Sequence, residues 1–416
     1  VRNDETPVAV RPDRSAGEGR LHAIDALRGL MLMLMATTHL PTRFANPFGQ
    51  PFGFVSAAEG FVLLSGFMAG LVYTRRAQQQ GEASMQQAFL KRALKIYACQ
   101  FGLLLFLFTV IAALGFLFDQ PAVKNLVHFY AEHPGVAMLA GLFLVYTPPL
   151  LDILPMYVLF MLASPVLLTH ALHQGWRGLL AFSVLMWLGD QFNVGHWLYD
   201  RIVDMTGLPV PWDDTGSFQL FAWQFVWVLG LWMGSSMALT GSPATEGRPF
   251  PRWMVATAWV YGGICMVWRH AVGQVPFGAH EALNMLQDKW QVGPMRLLNL
   301  FALLVLALHH GPALVKRLPR LRTLETWGSA SLPVFCAHLV LALLALVAVG
   351  ESTPERPVLL DVLILAGSFA LMNLVAHASV AIDRRTAAMR QQLKERTREK
   401  VAEPLRERVS ALRRCK

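Results

Sequence analysis

Charge is what this chain is short of. Of its 416 residues only 15% are Asp, Glu, Lys or Arg, against 54% hydrophobic, and the mean hydropathy is +0.42. Soluble domains carry nearer a quarter charged residues, so an ordinary soluble globule is excluded. Sustained apolar/polar alternation is missing too, which excludes an outer-membrane barrel. No internal repeat is visible, and no paired Gly/Pro-broken spans of the kind that mark many secondary transporters. There are four cysteines, Cys99, Cys265, Cys336 and Cys415, scattered without metal-ligand spacing; free thiols without a redox role, and no metal site, are the expectation. No small-residue cleavage site clearly follows the first apolar block, which is read as a retained span and not as a removed signal peptide.

What the chain does have is apolar blocks long enough to cross a hydrocarbon layer of about 30 Å. The fold class expected is an all-α polytopic membrane protein of about ten transmembrane helices. The blocks lie near 22–40, 54–73, 96–117, 150–170, 178–194, 218–239, 253–270, 295–310, 328–349 and 358–382. The stretch 134–147, "PGVAMLAGLFLVYT", is short for a span and reads as re-entrant or interfacial, or as an eleventh. With the N-terminus inside, the inner connections hold Arg75, Arg76, Lys91, Arg92 and Lys95, then Arg177, then Arg248 and Arg252, then Lys316, Arg317, Arg320 and Arg322. Asp190, Asp200, Asp204, Asp213 and Asp214 fall in an outer loop. This bias obeys the positive-inside rule and sets both termini in the cytoplasm. The net charge of +9 is thus a matter of membrane borders, and no nucleic-acid partner is expected. Three parts follow: a cytoplasmic tail over 1–20, a membrane domain over 21–383 and a basic helical tail over 384–416, where Glu395, Glu399, Glu403 and Glu407 recur every four residues.

A titratable side chain inside a span is costly without a partner or water, and so points to function. The first span, "RGLMLMLMATTHL", carries Arg28 and His39. Eleven positions apart, close to three turns, they share a helix face, with Arg28 about 10 Å in from the cytoplasmic border and His39 about 16 Å further on. Glu59 enters the second span at about the depth of His39. A histidine beside a carboxylate is the arrangement of a general base. Two blander readings stand beside it: Glu59 satisfies His39 without chemistry, or it neutralises Arg28. Asp25, three residues before Arg28, is another partner for that arginine, or a helix cap.

The second span closes in "LLSGF", where Ser65 and Gly66 fit close helix packing or a narrow ligand channel. Beyond it, Arg75, Arg76, Lys91, Arg92 and Lys95, with Tyr97, make an inner loop dense enough to grip the phosphates of a nucleotide-like donor. Near the outer leaflet gather Asp152, Tyr157, Trp223, Gln224, Arg296 and Asn299. Tryptophans there ordinarily form an interfacial belt; Asp152 and Arg296 each need a partner or water, and suggest a vestibule for a polar acceptor. His338, mid-way along the ninth span, reads as a packed, hydrogen-bonded core residue.

Six stretches in order, "DALRGL…TTHL", "AAEGFVLLSGF", "PPLLDILPMYVLF…SPVLL", "FAWQFVWVLGLWMG", "PMRLLNLFALL" and "GSASLPVFCAHLV", resemble the OpgC family from about residue 21 to about 383. These are inner-membrane proteins that succinylate osmoregulated periplasmic glucans, similar to a wider superfamily of membrane acyltransferases. That superfamily has Arg and His in its first span with ten residues between, met by Arg28 and His39. It has S-G-F closing the second, met by Ser65, Gly66 and Phe67, and a basic stretch ending in an aromatic, met by Arg92, Lys95 and Tyr97. Where the family often has an acidic residue directly before the histidine, this chain has Thr38, which leaves Glu59 as the candidate to orient His39.

The resemblance implies a transmembrane O-acyltransferase in the bacterial inner membrane. It would move an acyl group, succinyl or acetyl, from cytoplasmic acyl-CoA to hydroxyls of a periplasmic glucan, with no permanently bound cofactor. His39, Glu59 and Arg28 would carry the chemistry. Ser65, Arg75, Arg76, Arg92, Lys95 and Tyr97 would hold the donor. Asp152, Tyr157, Trp223, Gln224, Arg296 and Asn299 would hold the acceptor. An exporter of an anionic solute, a non-catalytic partner of a glucan synthase, and a homo-oligomer of either kind remain open.

Overall fold

The computed structural model describes the backbone of residues 14–241 and 250–414, and the side chains of 22–241, 250–389 and 391–392. Every regular element among the described residues is helical. Each expected apolar block falls in one long helix: α1 (Arg14–His39), α2 (Ala57–Gln80), α3 (Glu82–Leu117), α4 (Ile153–Gln174), α5 (Arg177–Asp190), α6 (Leu220–Thr240), α7 (Arg252–Val272), α8 (Pro294–Arg317), α9 (Ser331–Val349) and α10 (Val358–Arg414).

Seven of these helices, not ten, are long and apolar enough to cross a membrane: α2, α3, α4, α6 with the turn before it, α8, α9 and α10 as far as Met389. The other three fall short for different reasons. Helix α5 has 14 residues, about 21 Å at 1.5 Å per residue, less than the hydrocarbon layer. Helix α1 dilutes its apolar run with His22, Asp25, Arg28, Thr37, Thr38 and His39, and α7 with Arg252, Arg269 and His270. The inference that both termini share the cytoplasmic side needed ten alternations and no longer follows. Residues 1–13, 415 and 416, with Cys415, lie outside the described residues, as do the side chains of the four tail glutamates. Cys99, Cys265 and Cys336 are free thiols. In the stretch 134–147 only Pro134–Leu142 is helical, too short to span.

One expected loop is helix. The basic stretch after the second span is the end of α2, then Gly81 at φ +82°, then the start of α3. Arg75 and Arg76 ride the last turns of α2, and Arg92, Lys95 and Tyr97 sit on α3. Alanine, glutamine, leucine and lysine dominate there, all good helix formers, and the positive-φ glycine alone breaks the run.

Packing is closest between α2 and α6. Gly66 and Gly70 face Gly230 and Gly234, and a Cβ at any of the four would run into the partner's backbone carbonyl. Small residues four apart on both helices let the backbones touch, the usual device where lipid supplies no hydrophobic drive. Thr74 Oγ1 donates to Ser235 Oγ at 3.0 Å along the same seam. Helix α1 packs against α2, α9 and the short helix Arg322–Ser329. Gly29 lies on the Leu324 backbone and Gly328 on that of Asp25, which fixes the height of α1 in the bundle. The chain just past His39 is pinned as well: Arg43 Nε donates to Asp361 Oδ2 at 3.0 Å, and Arg356 Nη1 to the Pro41 carbonyl at 2.6 Å.

Candidate functional site

Arg28 and His39 do share a face of α1, and α9 provides a partner for each. Arg28 Nη2 donates to Ser331 Oγ at 2.5 Å, and its Nη1 stands 3.6 Å from Asp25. His39 Nδ1 lies 3.0 Å from His338 Nε2, with the rings stacked at a centroid distance of 5.2 Å. Residues 28, 32, 35 and 39 of α1 thus face residues 331, 335 and 338 of α9, each set at the three-and-four spacing of one helix face. Leu32, Met35 and Phe335 fill the middle with apolar bulk and are buried.

The tautomers of the histidine pair follow from what the second ring faces. His338 is fully buried, and its Nδ1 makes no hydrogen bond of good geometry, but it looks onto the carbonyls of Val334 and Phe335 on its own helix. A carbonyl accepts only, so Nδ1 is the nitrogen of His338 that carries hydrogen. Its Nε2 is then an acceptor, and His39 Nδ1–H is the donor. That leaves a lone pair on His39 Nε2, the atom of a half-buried ring that needs no proton for packing. The imidazole of His39 is thus oriented by a second histidine.

Glu59 is engaged elsewhere. It is fully buried and closes a capping box with Ser56, whose backbone N–H donates to Oε2 at 3.0 Å. Its other oxygen accepts from Arg296 Nε. The expected carboxylate–histidine contact is therefore not the one found: Glu59 holds Arg296, as a buried charge must be held, and the group touching His39 is His338. Arg296 also donates to the Gln287 carbonyl at 3.1 Å, while its Nη2, both amide atoms of Gln287 and Nδ2 of Asn299 are buried and unpaired among the described residues. Such atoms are rare, because each costs about 1–3 kcal/mol; clustered, they mark polar ground fit for hydroxyl groups.

A small cleft lies beside the Arg28–Ser331 contact, lined by Phe61, Arg92, Ile96, Leu154, Tyr157, Ser331, Leu332 and Phe335. Arg28, Arg92 and Tyr157 lie within Coulombic reach of one another. The Arg92 guanidinium on the lining, with Arg28 bonded to Ser331 at the wall, suits an anion. Phe335 bounds the cleft and meets the His338 ring edge-on, at 4.7 Å between centroids, so one phenyl ring stands between the cleft and the histidine pair.

The remaining expected site residues separate into groups. Of the donor set, Arg92 reaches the cleft; Arg75, Arg76 and Lys95 are exposed, with Arg76 Nε on Ser84 Oγ at 3.0 Å. Tyr97 donates to the Leu142 carbonyl at 2.9 Å and so ties down the 134–142 helix. Ser65 is buried beside the glycine seam with its hydroxyl unpaired among the described residues. Of the acceptor set, Tyr157 belongs with Arg92 in the cleft. Gln224 bonds Ser183 across α5 and α6 at 2.7 Å and faces no vestibule. Trp223 donates to the Trp290 carbonyl at 3.0 Å and Asn299 Oδ1 accepts from Phe54 N at 2.9 Å, so both brace loops. Asp152 accepts from Ser217 N at 3.2 Å; burial pushes its carboxyl up to about 6, against the pull of that N–H.

Two residues of interest were not among the sequence candidates. His338 was read as core packing, although a second titratable ring in a span was the available signal. Lys289 lies in the loop before α8, over the faces of Trp290 and Phe218; no motif or spacing around it marks it in the sequence.

A family model described as OpgC protein matches residues 20–384. No curated protein and no solved structure matches the chain.

Proposed function

We propose, on the premise that this chain belongs to the OpgC family, that it is a membrane O-acyltransferase with His39 as its base. The donor in this reading is a cytoplasmic acyl-CoA, succinyl-CoA first, and the acceptor a hydroxyl of a periplasmic glucan at the inner membrane. The observation that carries the reading is the two-ended ladder of α1 and α9, with a cation beside a cleft at one end and a polarised imidazole at the other.

The residues divide the work as follows. Arg28 and Arg92 hold the anionic part of the donor at the cleft. The acyl arm lies along Phe61, Tyr157 and Phe335 towards His39. His39 Nε2 takes the proton of the sugar hydroxyl as its oxygen attacks the thioester carbonyl. The tetrahedral adduct collapses with loss of the CoA thiolate, which recovers that proton from the imidazolium. His338 keeps Nδ1 of His39 protonated throughout. The polar ground around Arg296, Gln287 and Asn299 receives the sugar. A course through an acyl-His39 intermediate uses the same groups.

The exporter reading is the weaker one: of the four charges that would line its pathway, Arg28, Glu59, Asp152 and Arg296, two, Glu59 and Arg296, are fully buried and bound to each other. The deciding experiment is labelled succinyl transfer to glucan in membranes carrying His39→Ala. Loss of about a hundredfold to ten-thousandfold at normal expression is expected of a general base; undiminished transfer overturns the assignment.

A further inference from the structure

Much of the acidic loop between α5 and α6 is a helix, Val194–Thr206, which has no part in the scheme so far. At 1.5 Å per residue its 13 residues measure about 20 Å, too short to cross a hydrocarbon layer of about 30 Å. Its height is fixed by one buried carboxylate. Asp190, closing α5, accepts from Ala222 N in the first turn of α6 at 3.0 Å and from Gly195 N in the first turn of the short helix at 3.3 Å. The short helix therefore starts level with the first turn of α6, which is long and apolar enough to span. The end of a span is where hydrocarbon gives way to head groups and water.

Three sides of this helix meet three surroundings. Towards the protein, Tyr199 Oη donates to the Val210 carbonyl at 2.7 Å, and His196 stacks on Trp212 at 4.7 Å between centroids. Towards water, Asp200 and Asp204 are exposed, 3.6 Å from His196 and 3.2 Å from Arg201. On the third side Val194, Leu198, Ile202 and Met205 form an apolar stripe at the three-and-four spacing of one helix face. All four are exposed, Met205 by 78%, and the exposed rings of Trp197 and Phe192 flank them.

We propose that Val194–Thr206 lies in the plane of the membrane surface, its apolar stripe seated among acyl chains beside α6 and its carboxylates among the head groups. The occupant of the stripe is lipid, because the helix begins at the end of a span, where an uncovered face meets the bilayer. The charges forbid deeper burial, and the bare apolar stripe forbids release into water. Arg201, between Trp197 and Val194 around the helix, pairs with Asp204 and so turns its charge away from the stripe. Two carboxylates against one guanidinium give no attraction to anionic head groups, so seating depends on apolar area and not on lipid charge. Through Tyr199 and His196 the helix also ties the segment carrying Val210 and Trp212 to the lipid surface. None of this depends on the acyltransferase reading.

The test places the photo-crosslinker p-benzoylphenylalanine at Leu198, Met205 or Asp200, one at a time, in the full chain. All three positions are exposed, and if one apolar-site variant fails to accumulate the other is read in its place. The protein is reconstituted in vesicles of phosphatidylethanolamine, with and without phosphatidylglycerol, and irradiated; lipid adducts are read by mass spectrometry and chain–chain adducts by gel. Leu198 and Met205 are expected to give severalfold more lipid adduct than Asp200, with yields alike in the two lipid compositions. Equal low yields at all three positions, the result for a helix in water, overturn the proposal. So does a chain–chain band in place of lipid adducts, which would make the stripe an interface between copies. Yields that rise severalfold with phosphatidylglycerol overturn the independence from lipid charge.

Discussion

A single proton decides what His39 can do. With Nδ1–H given to His338, the outward nitrogen is free to accept; with the tautomer reversed it is not. His338 is thus a positioning residue, and replacing it separates position from bulk. In His338→Leu, kcat for transfer falls about fivefold, the worth of one hydrogen bond of roughly 1 kcal/mol, while KM for the donor stays close to wild type. His338→Gln, whose amide oxygen accepts from Nδ1–H, recovers part of kcat. Equal loss in both variants, or a change confined to KM, contradicts the positioning role. The shared face of Arg28 and His39 was legible because eleven residues on one helix is a local relation. The partners were not. His39 meets a ring 299 residues away and Glu59 a guanidinium 237 residues away, and nothing in local spacing reports pairs brought together by the packing of separate helices.

Elements were more legible than their borders or their contacts. Every apolar block is largely helix, and Ser56 with Glu59 closes a capping box at the start of α2. The basic connection was misread because charge suggested a loop, whereas helix propensity runs through it to the glycine at 81. The stripe of Gly66, Gly70, Gly230 and Gly234 was half visible, in "SGFMAG" and "GLWMG", but only the fold shows the two stripes meeting. The seam makes a sharp expectation. Gly230→Leu thrusts a side chain into the backbone of α2 at Leu63 and costs about 1–3 kcal/mol or more. The thermal midpoint of the detergent-solubilised protein then falls by several degrees. The same substitution at Gly263 of α7, where a Cβ meets nothing, leaves it within error.

At the scale of the molecule, hydropathy overcounted. It treated α1, α5 and α7 as equals of the rest, although one is too short and two are too polar to satisfy the same test. Their polar residues serve other ends: the Arg28–His39 ladder on α1, and on α7 Arg269, which donates to Gln50 Oε1 at 2.7 Å and to Asn46. A scheme that takes donor and acceptor from opposite compartments has a directional signature. Acyl-CoA added to the bulk medium supports transfer in sealed inverted inner-membrane vesicles, and not in right-side-out ones until they are permeabilised. Equal rates in both orientations contradict a donor taken from the cytoplasm.

The touching backbones of α2 and α6 also constrain traffic. Where two helices meet carbonyl to Cα there is no slit for a lipid tail or a pantetheine arm to slip through. Nothing bound for the histidines can therefore approach between those two rods. The cleft lies on the other flank, where α3, α4 and α9 line it and Arg92 stands at its wall.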